Sequence, residues 1–355
     1  MNLPLMLLSW YEKNKREFPF RGTDDPYRIW ISEVIMQQTR IGQGLAYYSK
    51  FLGRFPDIFS LADATEEDVL NIWQGLGYYS RARHLYATAK EICGSHGGEF
   101  PGTYAELRKL KGIGDYSAAS IASLSFNEPA PAIDGNVFRF LSRYFGITGP
   151  AGSSAGRKKA REYAWQFIDR SQPGVSNQAL IEHGALVCKP AQPACTTCQF
   201  NVTCFALNND LVQSLPDRIK PAKLRSRYFH YFVFLFTTDN RQRILLKKRT
   251  GNDIWKNLYD FPVVETSRKI SVIRLTETVE WKNLMGQGRP ENMHISPAYR
   301  HVLSHQVIYA RFLLIRSAPP PGFTGTGISL DSVPGYPLPK LLVRYFNDFF
   351  PGIIG

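Results

Sequence analysis

No stretch of this 355-residue chain is apolar for long enough to span a bilayer as a helix, so a membrane-spanning protein is not expected. Acidic residues are in deficit: 30 Asp and Glu stand against 43 Lys and Arg, a net charge of +13. An excess of that size points to a polyanionic partner, and a phosphate backbone is the commonest one; a membrane surface is the competing explanation. Cysteine is scarce as well, with five in all, and four of those fall between positions 188 and 204. Such clustering speaks for a metal site rather than a disulfide framework. Cys93 stands alone in a helical segment and is read as a buried or half-buried thiol without a role. The Leu3–Leu8 stretch is short, contains Pro4 and lacks a preceding basic region, so it reads as the start of a first helix and not as a secretion signal. A cytoplasmic, nucleoid-associated monomer is the expectation.

With 44% hydrophobic residues the chain is long enough for two well-buried domains. Through about residue 205 the apolar period is helical. The segments Trp30–Thr39, Glu66–Gln74, Arg81–Ile92, Tyr104–Leu110 and Tyr116–Ser125 repeat apolar residues every three or four positions. Asn208 to Arg227 is polar, carries Pro216 and Pro221, and holds no period. Beyond it, Tyr228–Thr237, Ile244–Lys248, Tyr259–Val264 and Val307–Ile315 read as strands, and Lys340–Phe350 as a closing amphipathic helix. The parse is a mainly α domain over 1–207, a linker over 208–227 and an α/β domain over 228–355.

The cysteines follow the pattern Cys188-x6-Cys195-x2-Cys198-x5-Cys204, in a segment rich in Pro and Thr. Four thiolates on one compact loop suit a tetrahedral zinc ion or a cubane iron–sulfur cluster. Zinc sites usually show two tight pairs, and here only Cys195 and Cys198 form one; spacing alone leaves both metals open.

Two other places carry chemistry. Leu110-Lys111-Gly112-Ile113-Gly114-Asp115-Tyr116 joins two helical patterns through a Gly-x-Gly turn, whose amides and following helix N-terminus can face a phosphate. Asp115 is expected to cap the second helix. Downstream, Asp134 precedes a helix bearing Val137, Phe140, Leu141 and Tyr144 on one face. A plain N-cap is one reading of Asp134; the other is a carboxylate kept ionised by the helix N-terminus. Glu33 lies beside the apolar stripe Ile31, Val34 and Ile35. It is either a solvated surface residue or a carboxyl whose proton affinity is raised by apolar surroundings. A protonated carboxyl and an ionised one together suit cleavage of an N-glycosidic bond through an oxocarbenium-like sugar.

Taken together, the LKGIG hairpin, the downstream DGNV and the cysteine loop resemble the helix–hairpin–helix glycosylase superfamily. Within it the chain resembles the adenine DNA glycosylases of the MutY type, through SEVIMQQTR (Ser32–Arg40), GLGYYSRAR (Gly75–Arg83) and NQALIEHGALVC (Asn177–Cys188). The resemblance implies a six-helix module, a loop holding a [4Fe–4S] cluster on Cys188, Cys195, Cys198 and Cys204, and duplex DNA with A:8-oxoguanine or A:G mispairs as partner. It implies Glu33 as the acid for the adenine ring, Asp134 as the group facing the sugar cation, and Asn136 and Tyr116 as orienting residues. Lyase-competent, endonuclease III-like relatives place a nucleophilic lysine where Tyr116 stands, so a monofunctional enzyme is implied. Gln38, Thr39, Leu76 and Tyr78 match positions that wedge into the duplex, and Gly112 and Gly114 form the DNA-facing hairpin. Arg16, Arg21 and Gln178 match positions lining the adenine pocket; some relatives have Glu in place of Gln178.

Residues 228–355 resemble the Nudix-like domain appended to these glycosylases, through Leu245–Arg249, Trp255, Leu258 and Phe261-Pro262. Nudix hydrolases hold Mg²⁺ with a run of glutamates on one helix. Only Glu265, Glu277 and Glu280 follow here, so hydrolase activity is not expected. Tyr299–His305 matches the segment that approaches oxidised guanine, with Ser304 and His305 as hydrogen-bonding groups and Leu303 where Phe is common. Phe138 stands where some relatives carry Lys. The rival readings are an endonuclease III-like pyrimidine glycosylase–lyase and a non-catalytic, metal-stabilised DNA-binding module.

Overall fold

The computed structural model describes residues 2–150, 153–217, 224–285, 290, 292–317 and 326–354. Part of the expected linker, 218–223, therefore lies outside the described residues. The chain forms two compact units, Met1–Ala64 with His84–Lys220, and Thr65–Arg83 with Pro221–Gly355.

Up to residue 208 the elements are α1 (Leu3–Asn14), α2 (Pro26–Met36), α3 (Ile41–Arg54), α4 (Ile58–Asp63), α5 (Glu66–Ile72), α6 (Ser80–His96), α7 (Tyr104–Leu107), α8 (Asp115–Ser125), α9 (Gly135–Phe145), α10 (Ser154–Ala164), α11 (Pro173–Leu186) and α12 (Phe205–Asn208). Their starts follow side-chain chemistry. Asn2, Asp25, Asp57, Thr65, Asp134 and Ser153 each accept a backbone N–H of the first turn, and Pro26 and Pro173 occupy first-turn positions where no N–H is needed.

In the first unit, α2 packs on α8, and α11 packs on α1, α8 and α9. The core between α1, α9, α10 and α11 contains Leu7, Tyr11, Phe140, Leu141, Phe167 and Leu180, with Phe200 of the cysteine loop buried against it. Phe138, noted in the sequence, is a core residue here. α11 is buried nearly all round, which is why it carries Ser176, Asn177, Glu182 and His183 inside the protein. Among the described residues no helix is long and apolar enough to cross a membrane.

The second unit is built on a sheet of β1 (Arg225–Thr238), β2 (Arg241–Lys248), β3 (Tyr259–Asp260), β4 (Val263–Thr266), β5 (Met293–Ile295), β6 (Tyr299–Val302), β7 (Gln306–Ile315) and β8 (Thr326–Ser329), with α13 (Val272–Thr276), α14 (Val279–Met285) and α15 (Lys340–Phe349). The strand order β3-β2-β1-β7-β5 is antiparallel except at its centre, where β1 and β7 run parallel from Arg225↔Gln306 to Phe234↔Ile315. Both faces of that centre are covered. Phe232, Phe234, Leu313 and Ile315 pack with Leu275 and Trp281 of α13 and α14. Tyr231 and Phe312 stack on the opposite face, and Phe312 stacks on Tyr345 of α15 at 3.9 Å. Two-sided burial explains why β1 reads as a continuous apolar run instead of an alternating one.

The segment 65–83 departs from the sequence reading, which groups it with the helices before it. In the structure it belongs to the sheet unit. Tyr259 and Lys248 reach Glu67 (both 3.1 Å), Leu338 N–H donates to Gln74 Oε1 (2.9 Å), and Arg83 Nη1 donates to Lys256 O (3.1 Å). Each of these contacts joins residues more than 170 positions apart, so a local periodicity carries no trace of them.

Candidate active site

Glu33 sits on the inner side of α2, where Ile31, Val34 and Ile35 are buried around it. Ser120 Oγ donates to Glu33 Oε1 (2.6 Å), and the Tyr116 hydroxyl hydrogen-bonds the same carboxyl. Ser120 is four residues beyond Tyr116 on α8, so one face of that helix presents both hydroxyls. Burial raises the Glu33 carboxyl above its ordinary range; the two hydroxyls pull it back only in part, and the negative charge of Asp134 raises it again. The Tyr116 hydroxyl is itself held far above its ordinary range by burial and by Glu33, so it remains a donor.

Asp134 is the N-cap of α9. Its Oδ1 accepts the backbone N–H groups of Asn136 (2.8 Å) and Val137 (2.7 Å), and its Oδ2 accepts Asn136 Nδ2 (2.7 Å). Burial still raises this carboxyl, against the sequence expectation of simple stabilisation of the anion by the helix end. All three neighbours are donors, however, and that set fits the carboxylate better than the acid. Asn136 is held in turn by Arg139 Nη2 on its Oδ1 (2.9 Å), while Arg139 also donates to Gly184 O and Cys188 O (both 2.7 Å). α11 approaches this turn so closely that a Cβ on Gly184 would lie 2.6 Å from Asn136 O.

Tyr116, Asp134, Gly114 and Asp115 open onto a cleft of about 520 Å³, together with Gln37, Arg157 and Arg161. The hairpin at its edge is tight. Gly112 has φ +79°, and a Cβ there would lie 2.5 Å from His84 Cβ, so the position demands glycine twice over. Gly114, not Asp115, is the N-cap of α8, which corrects the expectation for Asp115. Asp115 instead pairs with Arg108 and Arg161 and accepts the Tyr104 hydroxyl.

Arg16 and Arg21 converge on Glu182, whose side chain is fully buried; Arg16 Nη2 is 2.9 Å away, and Arg21 Nη2 contacts the other oxygen. Gln178, one turn earlier on α11, accepts the Tyr11 hydroxyl (2.9 Å). Gln38 follows α2 with φ 55° and is exposed, and Thr39 is partly buried. In the sheet unit Leu76 is buried, whereas Tyr78 has φ 48° and is 47% exposed. Left-handed backbone at a non-glycine residue is costly and tends to sit at working sites. Ser304 and His305 are exposed at the tip of the β6–β7 hairpin, closed by Leu303 N–H on Gln306 O (2.8 Å). Glu265 lies on β4, Glu277 caps α13 and Glu280 lies on α14, so the three share no helix face.

None of the five cysteines forms a disulfide. Among the described residues no three His, Cys, Asp or Glu side chains are grouped to hold a single metal ion. Cys188, Cys195, Cys198 and Cys204 instead line one cavity of about 30 Å³, walled by Phe140, Tyr144 and Phe200. Backbone N–H groups of Phe200 and of Ala206 and Leu207 reach Cys198 and Cys204, and Arg143 Nη1 reaches Cys188 Sγ (3.4 Å). Burial first, then the neighbouring sulfurs, pushes the Cys198 thiol up to about 11. Sulfurs that oppose one another's ionisation, yet are supplied with N–H donors, form a set suited to a cationic group.

Three contributors escaped the sequence reading. Asn177 is buried and fully used, with Nδ2 on Ser123 Oγ and Ala130 O and Oδ1 accepting Ala132 N–H, which braces the loop leading to Asp134. Ser120 and Arg139 were missed too, although each stands one helical turn from a predicted residue.

Residues 31–168 match the family model described as HhH-GPD superfamily base excision DNA repair protein, and 232–348 match the model described as NUDIX domain. The adenine DNA glycosylase of Buchnera aphidicola subsp. Baizongia pistaciae is 34% identical over 311 residues, covering 85% of this chain and 83% of that protein. The adenine DNA glycosylase of Buchnera aphidicola subsp. Acyrthosiphon pisum is 34% identical over 317 residues, covering 88% and 85%. Among solved structures, a thermostable thymine-DNA glycosylase superposes with a TM-score of 0.53 at 26% identity, covering 58% of this chain and 94% of that one. The Nudix match and the two relatives that span both units, set beside the paired carboxyls and the glycine hairpin, fix the affiliation: the chain belongs to the adenine DNA glycosylase family.

Proposed function

We propose that this protein is a monofunctional DNA glycosylase that extrudes adenine opposite 8-oxoguanine or guanine and hydrolyses its glycosidic bond. The observation that carries the reading is the carboxyl pair, one acid among hydroxyl donors and one carboxylate among amide donors. Glu33, its proton affinity raised by burial, donates a proton to the base and makes it a neutral leaving group. Asp134 faces the positive charge that develops on the sugar, and Asn136 keeps it oriented. The ionised Glu33 then takes the proton of the attacking water, which restores the acid. Tyr116 offers no amine for a Schiff base, so the product is an abasic site.

Extrusion favours mispaired bases because they cost least to unstack. The exposed Tyr78 ring and the Gln38 amide are suited to filling the gap, and Ser304 and His305 to hydrogen-bonding oxidised guanine. Arg157 and Arg161 at the cleft, with the Gly112–Gly114 hairpin, supply phosphate contacts.

Four sulfurs lining one cavity suit a [4Fe–4S] cluster with one thiolate to each iron, the group that the resemblance implies. When bound, the group supplies a rigid fold for 188–204 and no step of the hydrolysis. Arg139 and Arg143 join that loop to α9, the helix that Asp134 caps.

The test is release of free adenine from duplexes with A:8-oxoguanine, A:G and A:C pairs. Release from the first two is expected, falling about 10²- to 10⁴-fold in Glu33→Gln. Release of pyrimidines instead, or full activity in Glu33→Gln, would sink the assignment. Borohydride trapping on abasic DNA, expected to be negative, separates it from a glycosylase–lyase.

A further inference from the structure

His183 follows Glu182 on α11, and its side chain is completely buried. Trp10, Phe140 and Phe200 surround it edge-on, with ring centroids at 5.1, 4.6 and 5.2 Å. Nδ1 has no hydrogen-bond partner among the described residues, and Nε2 lies 3.6 Å from Cys198 Sγ. A ring needed only for packing would be better served by an apolar side chain, because a buried polar ring loses its hydration.

A neutral imidazole has one N–H to place. On Nδ1 it would be buried without an acceptor, at the full cost of desolvation. On Nε2 it points at sulfur. A thiol at Cys198 tolerates either arrangement, since it can donate as well as accept. A thiolate carries no proton and accepts only from Nε2–H.

We propose that His183, as the Nε2–H tautomer, donates a hydrogen bond to the Cys198 thiolate and thereby tunes the reduction potential of the iron–sulfur cluster. The inference rests on the cluster reading above. A hydrogen bond to a ligand sulfur draws charge from the thiolate and favours the more reduced, more negative state of the cluster. The aromatic cage keeps water away and strengthens that bond. The other donors to the sulfurs are backbone amides and the Arg143 guanidinium, which leaves His183 the single neutral side-chain donor among the described contacts.

The experiment compares the purified full-length holoprotein with His183→Leu and His183→Gln. Leucine fills the cage without a donor; glutamine places an amide N–H near the position of Nε2. Iron and sulfide content, the reduction potential by film voltammetry and the Fe–S stretching frequencies are measured for each. At equal iron content His183→Leu is expected to shift to a lower potential with altered Fe–S stretches, and His183→Gln to return toward the parent value. Loss of iron from His183→Leu but not from His183→Gln also supports the hydrogen bond. Identical potentials and stretches in all three proteins would overturn it, as would equal iron loss in both variants, which would make the ring a packing element. A colourless, iron-free parent protein would remove the cluster reading and this inference with it, an outcome distinct from the other two.

Discussion

In the sheet unit, acids meet guanidinium groups. Arg227 grips Asp253 and Glu265 (2.6 Å each), and Arg249 reaches Asp260 (2.9 Å). In the helical unit, Glu33 and Asp134 meet hydroxyls and amides, and among the described residues neither forms an ion pair. The contrast is sharpened by Glu182, a buried acid in the helical unit that two arginines neutralise. A carboxylate paired with counter-charges has its anionic form favoured by them and serves structure. One held by neutral donors keeps a proton affinity that burial sets, and is available to transfer that proton. Burial alone does not distinguish the proposed acid, since Asp260 is pushed up to about 7 by burial despite Arg249. What distinguishes Glu33 as the candidate is a cleft lined by its partner Tyr116, a second carboxyl, and no ion pair among the described residues.

The largest way to break this comparison is Glu182→Ala, which leaves the largely buried Arg21, and the partly exposed Arg16 beside it, without their acid. A loss of about 3–5 kcal/mol is expected in denaturant unfolding. Arg227→Leu, whose two acids are more than a third exposed, is expected to cost about 1 kcal/mol or less by the same measurement. Equal losses would erase the distinction between a buried lock and a surface one.

A second test concerns sign. The Glu33 carboxyl is raised in the folded state, so its favourable contribution is present below the unfolded carboxylate range and is lost as pH rises through the raised value. Glu33→Gln should therefore be more stable than the parent at neutral pH, with the advantage vanishing in acid. Unfolding midpoints across pH measure this. The parent's single-turnover rate should fall over the same rising-pH window in which Glu33 gives up its proton. A variant less stable than the parent at every pH would contradict the burial penalty.

The smallest effect is expected at the hairpin tip. Replacing Ser304 and His305 by Ala removes about one net hydrogen bond's worth of preference, roughly 1 kcal/mol, or severalfold between A:8-oxoguanine and A:G substrates. Unchanged release rates on both would detach the tip from lesion recognition.

Much of this molecule is written locally. The helices around Glu33 and Tyr116 and the central strands β1 and β7 follow from apolar period, and their ends from Asp, Asn, Ser and Pro at the caps. The glycines of the hairpin and the cysteine spacing were legible for the same reason: a turn or a ligand loop is specified by a few neighbouring residues. Ser120, Asn177 and the placement of 65–83 were not legible because their partners are remote in sequence, and Arg139 because two of its three are. Asn177 reaches Ala130 across 47 residues, and Glu67 reaches Tyr259 across 192. The sequence by itself determined which residue types could do the chemistry and which segments would be helix or strand. Only the tertiary structure decided which carboxyl met hydroxyls instead of an ion-pair partner among the described residues, and which histidine faced a sulfur, because burial and charge pairing are properties of packed neighbours and not of chain position.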